Sequence, residues 1–243
     1  MRSLLAAARF LTRIPLPGRP TEVHELQGAV PWFPLVGAAV GLFTAGTFLL
    51  AGRLWPAPVA AALAVAAGLM LTGGFHEDGL SDAVDGLGGG FTPESVLAIM
   101  KDSRIGAYGS MALFCALLLR WSLLVALGGR ALLAFPMAMA LGRWAIAHVL
   151  ALLPPIAEGL AKEVHRRGSV RLWLGSSGMA LLLGIAAGGL GLPRIPLAFL
   201  AATAASILWA WRLKVRLGGH SGDGLGATAM LAEAAALLVW VAK

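Results

Sequence analysis

Asp78, Asp82 and Asp85 stand at i, i+4 and i+7 within Gly73-Gly74-Phe75-His76-Glu77-Asp78-Gly79-Leu80-Ser81-Asp82-Ala83-Val84-Asp85-Gly86. On a helix that spacing stacks three carboxylates along one stripe, where they repel one another. A divalent cation or cationic ligand relieves the repulsion, and clustered carboxylates with few other ligands suit Mg²⁺ or Mn²⁺. Gly79 and Gly86 form a second stripe along which a ligand or a neighbouring helix can approach. A second polar segment, Ile99-Met100-Lys101-Asp102-Ser103-Arg104-Ile105-Gly106-Ala107-Tyr108-Gly109, supplies Lys101 and Arg104 as phosphate donors on a glycine-containing loop. A third, Gly218-Gly219-His220-Ser221-Gly222-Asp223-Gly224, puts glycines ahead of a helix start, the pattern of an anion-binding nest. Carboxylates for Mg²⁺, cations for phosphate and a glycine-rich turn together describe phosphoryl transfer. His76 and His220 lack a histidine partner at ligand spacing and read as hydrogen-bond donors to substrate, beside Gly222.

The elements that must position these residues are membrane helices. Of 243 residues, 58% are hydrophobic and 13% charged, and the mean hydropathy is +0.82. A soluble domain carries roughly a quarter charged residues, so an ordinary globular enzyme is excluded, as is a disordered chain. Seven stretches approach the roughly 20 apolar residues a crossing requires: 31–52, 57–75, 110–128, 131–153, 174–192, 195–211 and 225–242. The expected fold is all-α, a polytopic helical membrane bundle of about seven spans forming a single domain over 1–243. The first 20 residues, with Arg2, Arg9 and Arg13 on one helical face, read as an interfacial amphipathic helix. The single cysteine, Cys115, excludes an intramolecular disulfide and a multi-thiolate site; it and His148 read as packing residues.

Alternating the spans puts thirteen of the 19 Lys and Arg residues on one side and four on the other, with Arg120 and Arg143 inside spans. Eleven of the twelve acids fall on the basic side, and Glu233 lies within the last span. The positive-inside rule then predicts a cytoplasmic N-terminus and cytoplasmic site loops at about 75–109, 154–173 and 212–224. Arg120, Arg143 and Glu233 are costly in a bilayer unless paired or facing an aqueous cavity; an Arg143–Glu233 ion pair and a pocket for an anionic substrate are both open. The net charge of +7 fits lipid headgroups, so lipid is an expected partner and nucleic acid is not.

The stretches Phe10 to Pro17, Phe33-Pro34-Leu35-Val36-Gly37, Gly73 to Gly86, Ile99 to Gly109 and Gly218 to Ala227 resemble, in order and over essentially the whole chain, the motifs of the cobalamin synthase family, the adenosylcobinamide-GDP ribazoletransferases. The resemblance implies a multi-spanning membrane enzyme that joins adenosylcobinamide-GDP to α-ribazole, or its 5′-phosphate, and releases GMP with Mg²⁺. It carries over to His76, Asp78, Asp82, Asp85, Lys101, Asp102, Arg104 and Asp223. Asp78, Asp82 and Asp85 are then the expected metal ligands, and Asp102 or Asp223 the proton acceptor. Glu77 stands where the family has an apolar residue, which marks its charge as peripheral, and Glu158-Gly159-Leu160 resembles a family loop element with Ala161 in place of a glycine. Self-association into a homo-oligomer is left open. Asp82-Ala83-Val84-Asp85-Gly86 also matches the start of the CDP-alcohol phosphotransferase signature, although the continuation is missing. A cation or solute transporter is the non-enzyme alternative, but it should hold its polar site near the bilayer midplane.

Overall fold

The computed structural model describes residues 2–16, 25–26, 28–156 and 169–243. The chain runs through α1 (Arg2–Leu11), a 3₁₀ turn (Val30–Trp32), α2 (Phe33–Ala51), α3 (Ala57–Thr72), α4 (Phe75–Gly89), α5 (Pro93–Met100), α6 (Ala107–Leu127), a 3₁₀ turn (Gly128–Arg130), α7 (Ala131–Leu152), α8 (Ser169–Gly189), α9 (Ile195–Leu217) and α10 (Gly222–Val241). Among the described residues there is no strand, only an isolated bridge between Pro155 and His220. Small residues set the packing. Gly37 and Gly41 of α2 lie against the α7 backbone at Met139 and Phe135, and Gly142 of α7 lies against Ala229 of α10. A side chain at any of these positions would force the helices apart, which is how closely packed membrane helices use glycine. The centre of the bundle is therefore α7, with 16 buried residues, flanked by α2 and α10.

Five continuous stretches are long and apolar enough to cross a membrane, or six if α3 and α4 count as one bent pair, against the seven expected. Two features account for the difference. First, α6 and α7 form one uninterrupted 46-residue stretch, Ala107–Leu152. On a straight helix Arg120 and Arg143 would be about 34 Å apart, yet each lies 3.0 Å from an oxygen of Glu233. The stretch therefore folds back at Gly128, whose φ of +54° only glycine adopts readily. Second, α3 has 16 residues and is followed by a 90° bend into α4. The bend consists of Gly73 and Gly74, at φ +72° and +68°, a left-handed pair that other residues enter only at a cost. With 15 residues and four acids, α4 is too short and too polar to be a span by itself.

The polar segments are more helical than expected. The region 75–109 consists largely of α4 and α5, and α9 extends to Leu217, so Arg212, Lys214 and Arg216 lie on its last turns, where cations complement the helix dipole. Only residues 218–221 separate α9 from α10. α1 is amphipathic as expected, but it ends at Leu11, so Arg13 is not on its face. Instead the Arg13 amide donates to the Leu71 carbonyl at 2.7 Å and its side chain covers Gly73 at the bend. His148 does pack, stacked on Trp144 and Trp173 with its Nδ1 2.8 Å from Ser206 Oγ. Cys115, by contrast, is exposed on α6.

Candidate active site

The acidic stripe is real, and α10 meets it. A Cβ on Gly79 would stand 3.1–3.3 Å from backbone atoms of Asp223 and Gly226, so a glycine contact seats α4 on the first turn of α10. Ser221 caps that turn, its Oγ accepting from the Gly224 amide at 3.0 Å, and places Asp223 at the positive end of the helix. Asp78 is exposed and Asp82 and Asp223 are half-buried. Burial and, after it, the charges of Asp78, Asp223 and Asp85 push the Asp82 carboxyl up to about 6. Among the described residues no cation pairs with these three carboxylates.

Asp85 behaves differently from the expectation that it is a free metal ligand. Its carboxylate is buried and accepts from the Gly106 amide at 2.7 Å and the Gly109 amide at 2.8 Å. It caps the N-terminus of α6 from a neighbouring helix, satisfying donors that the first turn leaves unpaired. Gly106 and Gly109 make room for this carboxylate: a Cβ on either would collide with it. Gly86 likewise receives Val96 and Met100 of α5 rather than a ligand.

Lys101 is exposed at the C-cap of α5. Arg104, with 88% of its side chain exposed, lies against Asp102 in a fork, with Nη2–Oδ2 at 2.6 Å and Nε–Oδ1 at 3.0 Å. Hydrogen bonds from the Arg104 side chain and amide hold Asp102 down to about 2. As a proton acceptor Asp102 is therefore poor while paired, which leaves Asp223 as the stronger of the two expected bases.

The turn before α10 is pinned rather than open. The His220 amide donates to the Pro154 carbonyl at 2.9 Å, the Ile156 amide donates back to His220 at 3.2 Å, and a side chain at Gly219 would strike Pro154. His76 and His220 are 1% and 0% exposed, so neither presents its ring to the surface on which the carboxylates open. Gly222 is exposed, with open space around it. The expected loop element at 158–160 lies outside the described residues.

Glu77 corrects the reading that its charge is peripheral. It is buried, and its Oε1 lies 2.6 Å from Arg120 Nη1. Arg120 Nε reaches Glu233 Oε1 at 3.0 Å, and Arg143 Nη1 reaches Glu233 Oε2 at 3.0 Å. Two acids and two bases thus close a formally neutral chain inside the bundle. The Arg143–Glu233 pair was legible from the spans; the two pairs that Arg120 makes, with Glu77 and Glu233, were not, because the Glu77 charge read as peripheral.

Among the described residues no three His, Cys, Asp or Glu side chains gather closely enough to enclose a metal ion. The donor set nevertheless fits Mg²⁺, which keeps several waters and is held by one or two carboxylates plus substrate phosphates. Asp78 and Asp82, with Asp223 opposite, provide such carboxylates and an excess of negative charge.

A helical membrane bundle whose polar end carries carboxylates without a partner cation among the described residues is compatible with a membrane-embedded enzyme of the group-transfer class. The family model described as cobalamin-5-phosphate synthase matches residues 3–241, and the chain belongs to that family. It is 39% identical to the adenosylcobinamide-GDP ribazoletransferase of Leptothrix cholodnii over 99% of this chain and 95% of that protein. It is 40% identical to the protein of the same name from Ralstonia nicotianae over 99% and 94%, and 39% identical to that of Shewanella amazonensis over 97% and 93%. No solved structure matches the chain. The protein is accordingly a transferase of cobalamin biosynthesis.

Proposed function

We propose that the protein joins adenosylcobinamide-GDP to α-ribazole, or its 5′-phosphate, with release of GMP, at the cytoplasmic face of the bacterial inner membrane. The observation that carries this reading is the acidic face of α4 and α10, whose carboxylates have no partner cation among the described residues, with Lys101 and Arg104 exposed on the α5–α6 turn whose Gly106 amide Asp85 of α4 holds. Such a face asks for a metal–diphosphate ligand, and relatives of this length carry the matching name. Asp78 and Asp82, with Asp223, would hold Mg²⁺. When bound, the ion neutralises diphosphate oxygens and the charge that develops on the leaving phosphate.

The chain's own groups do the rest. Lys101 and Arg104 bind the diphosphate, Arg104 by turning its fork from Asp102 to phosphate oxygens. A free ribose hydroxyl of ribazole, the 3′-oxygen rather than the 5′-oxygen that the 5′-phosphate occupies, forms a bond to the phosphorus attached to cobinamide, the bond from that phosphorus to the bridging oxygen breaks, and GMP departs with that oxygen. Asp223 accepts the hydroxyl proton. Purified protein incubated with both substrates, with and without Mg²⁺, tests the reading: cobalamin and GMP should appear together and only with the metal, and the absence of both products would refute it. Orientation has its own check. Cysteines placed near Arg53, Arg130 and Arg194 in a Cys115→Ser background should label from the external side, and labelling from the cytoplasm would invert the site.

A further inference from the structure

Glu77 and Asp78 are adjacent, but Glu77 is buried and Asp78 is exposed. Successive residues on a helix are rotated by about 100°, so fixing one side chain in the bundle interior fixes the direction of its neighbours. α4 needs such an anchor. It follows two left-handed glycines, whose backbone freedom leaves the rotation of the next helix unspecified, and its contact with α10 at Gly79 has no side chain to set an angle. Two directional anchors are present: Asp85, held toward the far end of α4 by the Gly106 and Gly109 amides, and, in the first turn after the bend, the chain Glu77–Arg120–Glu233–Arg143, which ties α4 to α6, α10 and α7 through contacts of 2.6–3.0 Å between side chains 3–9% exposed.

We propose that Glu77 is a positioning residue: held by Arg120, which Glu233 and Arg143 hold in turn, it sets the rotation of α4 that turns Asp78 and Asp82 toward Asp223 and the open face. The proposal rests on the reading of that face given above. An apolar contact would stabilise α4 at many rotations, whereas a carboxylate on a guanidinium is directional. The arrangement is also balanced. Two acids face two bases, so loss of one member leaves a buried charge uncompensated, while loss of one acid and one base together does not.

The test uses the full chain in detergent with Glu77→Gln and with Glu77→Gln/Arg120→Gln. Hydrogen exchange is followed separately over 75–89 and 131–152, alongside the unfolding temperature, kcat and KM. Glu77→Gln should speed exchange over 75–89 about tenfold or more, leave 131–152 protected, and lower kcat at least about tenfold with a smaller change in KM. The double variant should recover the unfolding temperature but neither the protection of α4 nor kcat. Unchanged exchange over 75–89 in the single variant, or recovery of kcat together with stability in the double variant, would overturn the proposal and leave the network as structural ballast. Should Glu77→Gln fail to fold, Glu77→Asp keeps the charge and shortens the arm by one methylene, and the same readouts apply. If the wild type does not turn over the named substrates, the functional reading fails, while the exchange comparison still decides the clamp.

Discussion

Glu77 and Asp78 share a helix turn and meet opposite fates. Glu77 is drawn into a buried chain in which every charge has a partner within the fold. Asp78, with Asp82 and Asp223, is left on a face whose carboxylates only repel. Charges that the fold balances belong to the architecture, since removing one exposes the others to a low-dielectric interior. Charges that the fold leaves unbalanced cost stability, and what balances them must come from outside. On the proposed reading the same helix carries a structural face and a ligand face, and the two should respond differently to substitution.

The largest difference is expected at Asp82. Asp82→Asn removes a charge that the fold does not use, so the unfolding temperature in detergent should stay or rise. Turnover should fall about a thousandfold or more, because a metal-linked carboxylate contributes on the order of 4 kcal/mol to the transition state. A variant that unfolds early yet turns over normally when folded would reverse the assignment of the two faces.

Glu233→Gln should do the opposite. It leaves Arg120 paired with Glu77 but takes from Arg143 its partner Glu233, and breaking a buried ion pair from one side costs about 3–5 kcal/mol. Thermal unfolding in detergent reads this loss directly. A melting curve that overlays the wild type would mean that water already solvates the network.

How far this contrast was legible beforehand depends on the interaction concerned. The spans, the acidic stripe and the kinship followed from periodicity and motif, because apolar runs and i, i+4 spacing are local properties. The role of Asp85 was not legible: its partners are backbone amides 21 and 24 residues away, and a backbone amide leaves no residue type to recognise. Glu77 was misjudged for a related reason. Spacing shows which residues share a stripe, but its partner, Arg120, comes from another helix, and only packing brings them together. The two glycines at the bend fell within the expected span 57–75; that they turn α4 through 90° follows from their positive φ, which the residue type permits without requiring.

Gly79→Ala probes the seam where the ligand face is assembled. Its new methyl would press on Asp223 and Gly226 backbone at 3.1–3.3 Å, which yields less readily than a side chain. Overpacking of this kind costs about 1–3 kcal/mol and should also displace Asp78 from Asp223, so stability and turnover should decline together. Gly222→Ala, one residue before Asp223 and facing open space, is the control for stability and should change it by less than about 0.5 kcal/mol. Equal destabilisation by the two substitutions would remove the α4–α10 contact from the account.

The smallest effect is expected at Arg104, and it separates ligand binding from simple charge. The Arg104–Asp102 pair is exposed on a turn, and pairs of this kind add little to stability, so Arg104→Lys should unfold with the wild type. Its catalytic consequence depends on what the guanidinium is for. If it attracts lipid headgroups or substrate by charge alone, Lys serves equally well and turnover is unchanged. If its fork moves from Asp102 to the diphosphate, Lys keeps the charge but loses the paired donors, and kcat/KM should fall about tenfold to thirtyfold. Arg104→Ala should fall further, since charge and donors go together. Equal activity in the wild type and the Lys variant, with loss only in Ala, would assign Arg104 to attraction rather than to the clamp, and the diphosphate would then be held from the Arg side by charge without geometry.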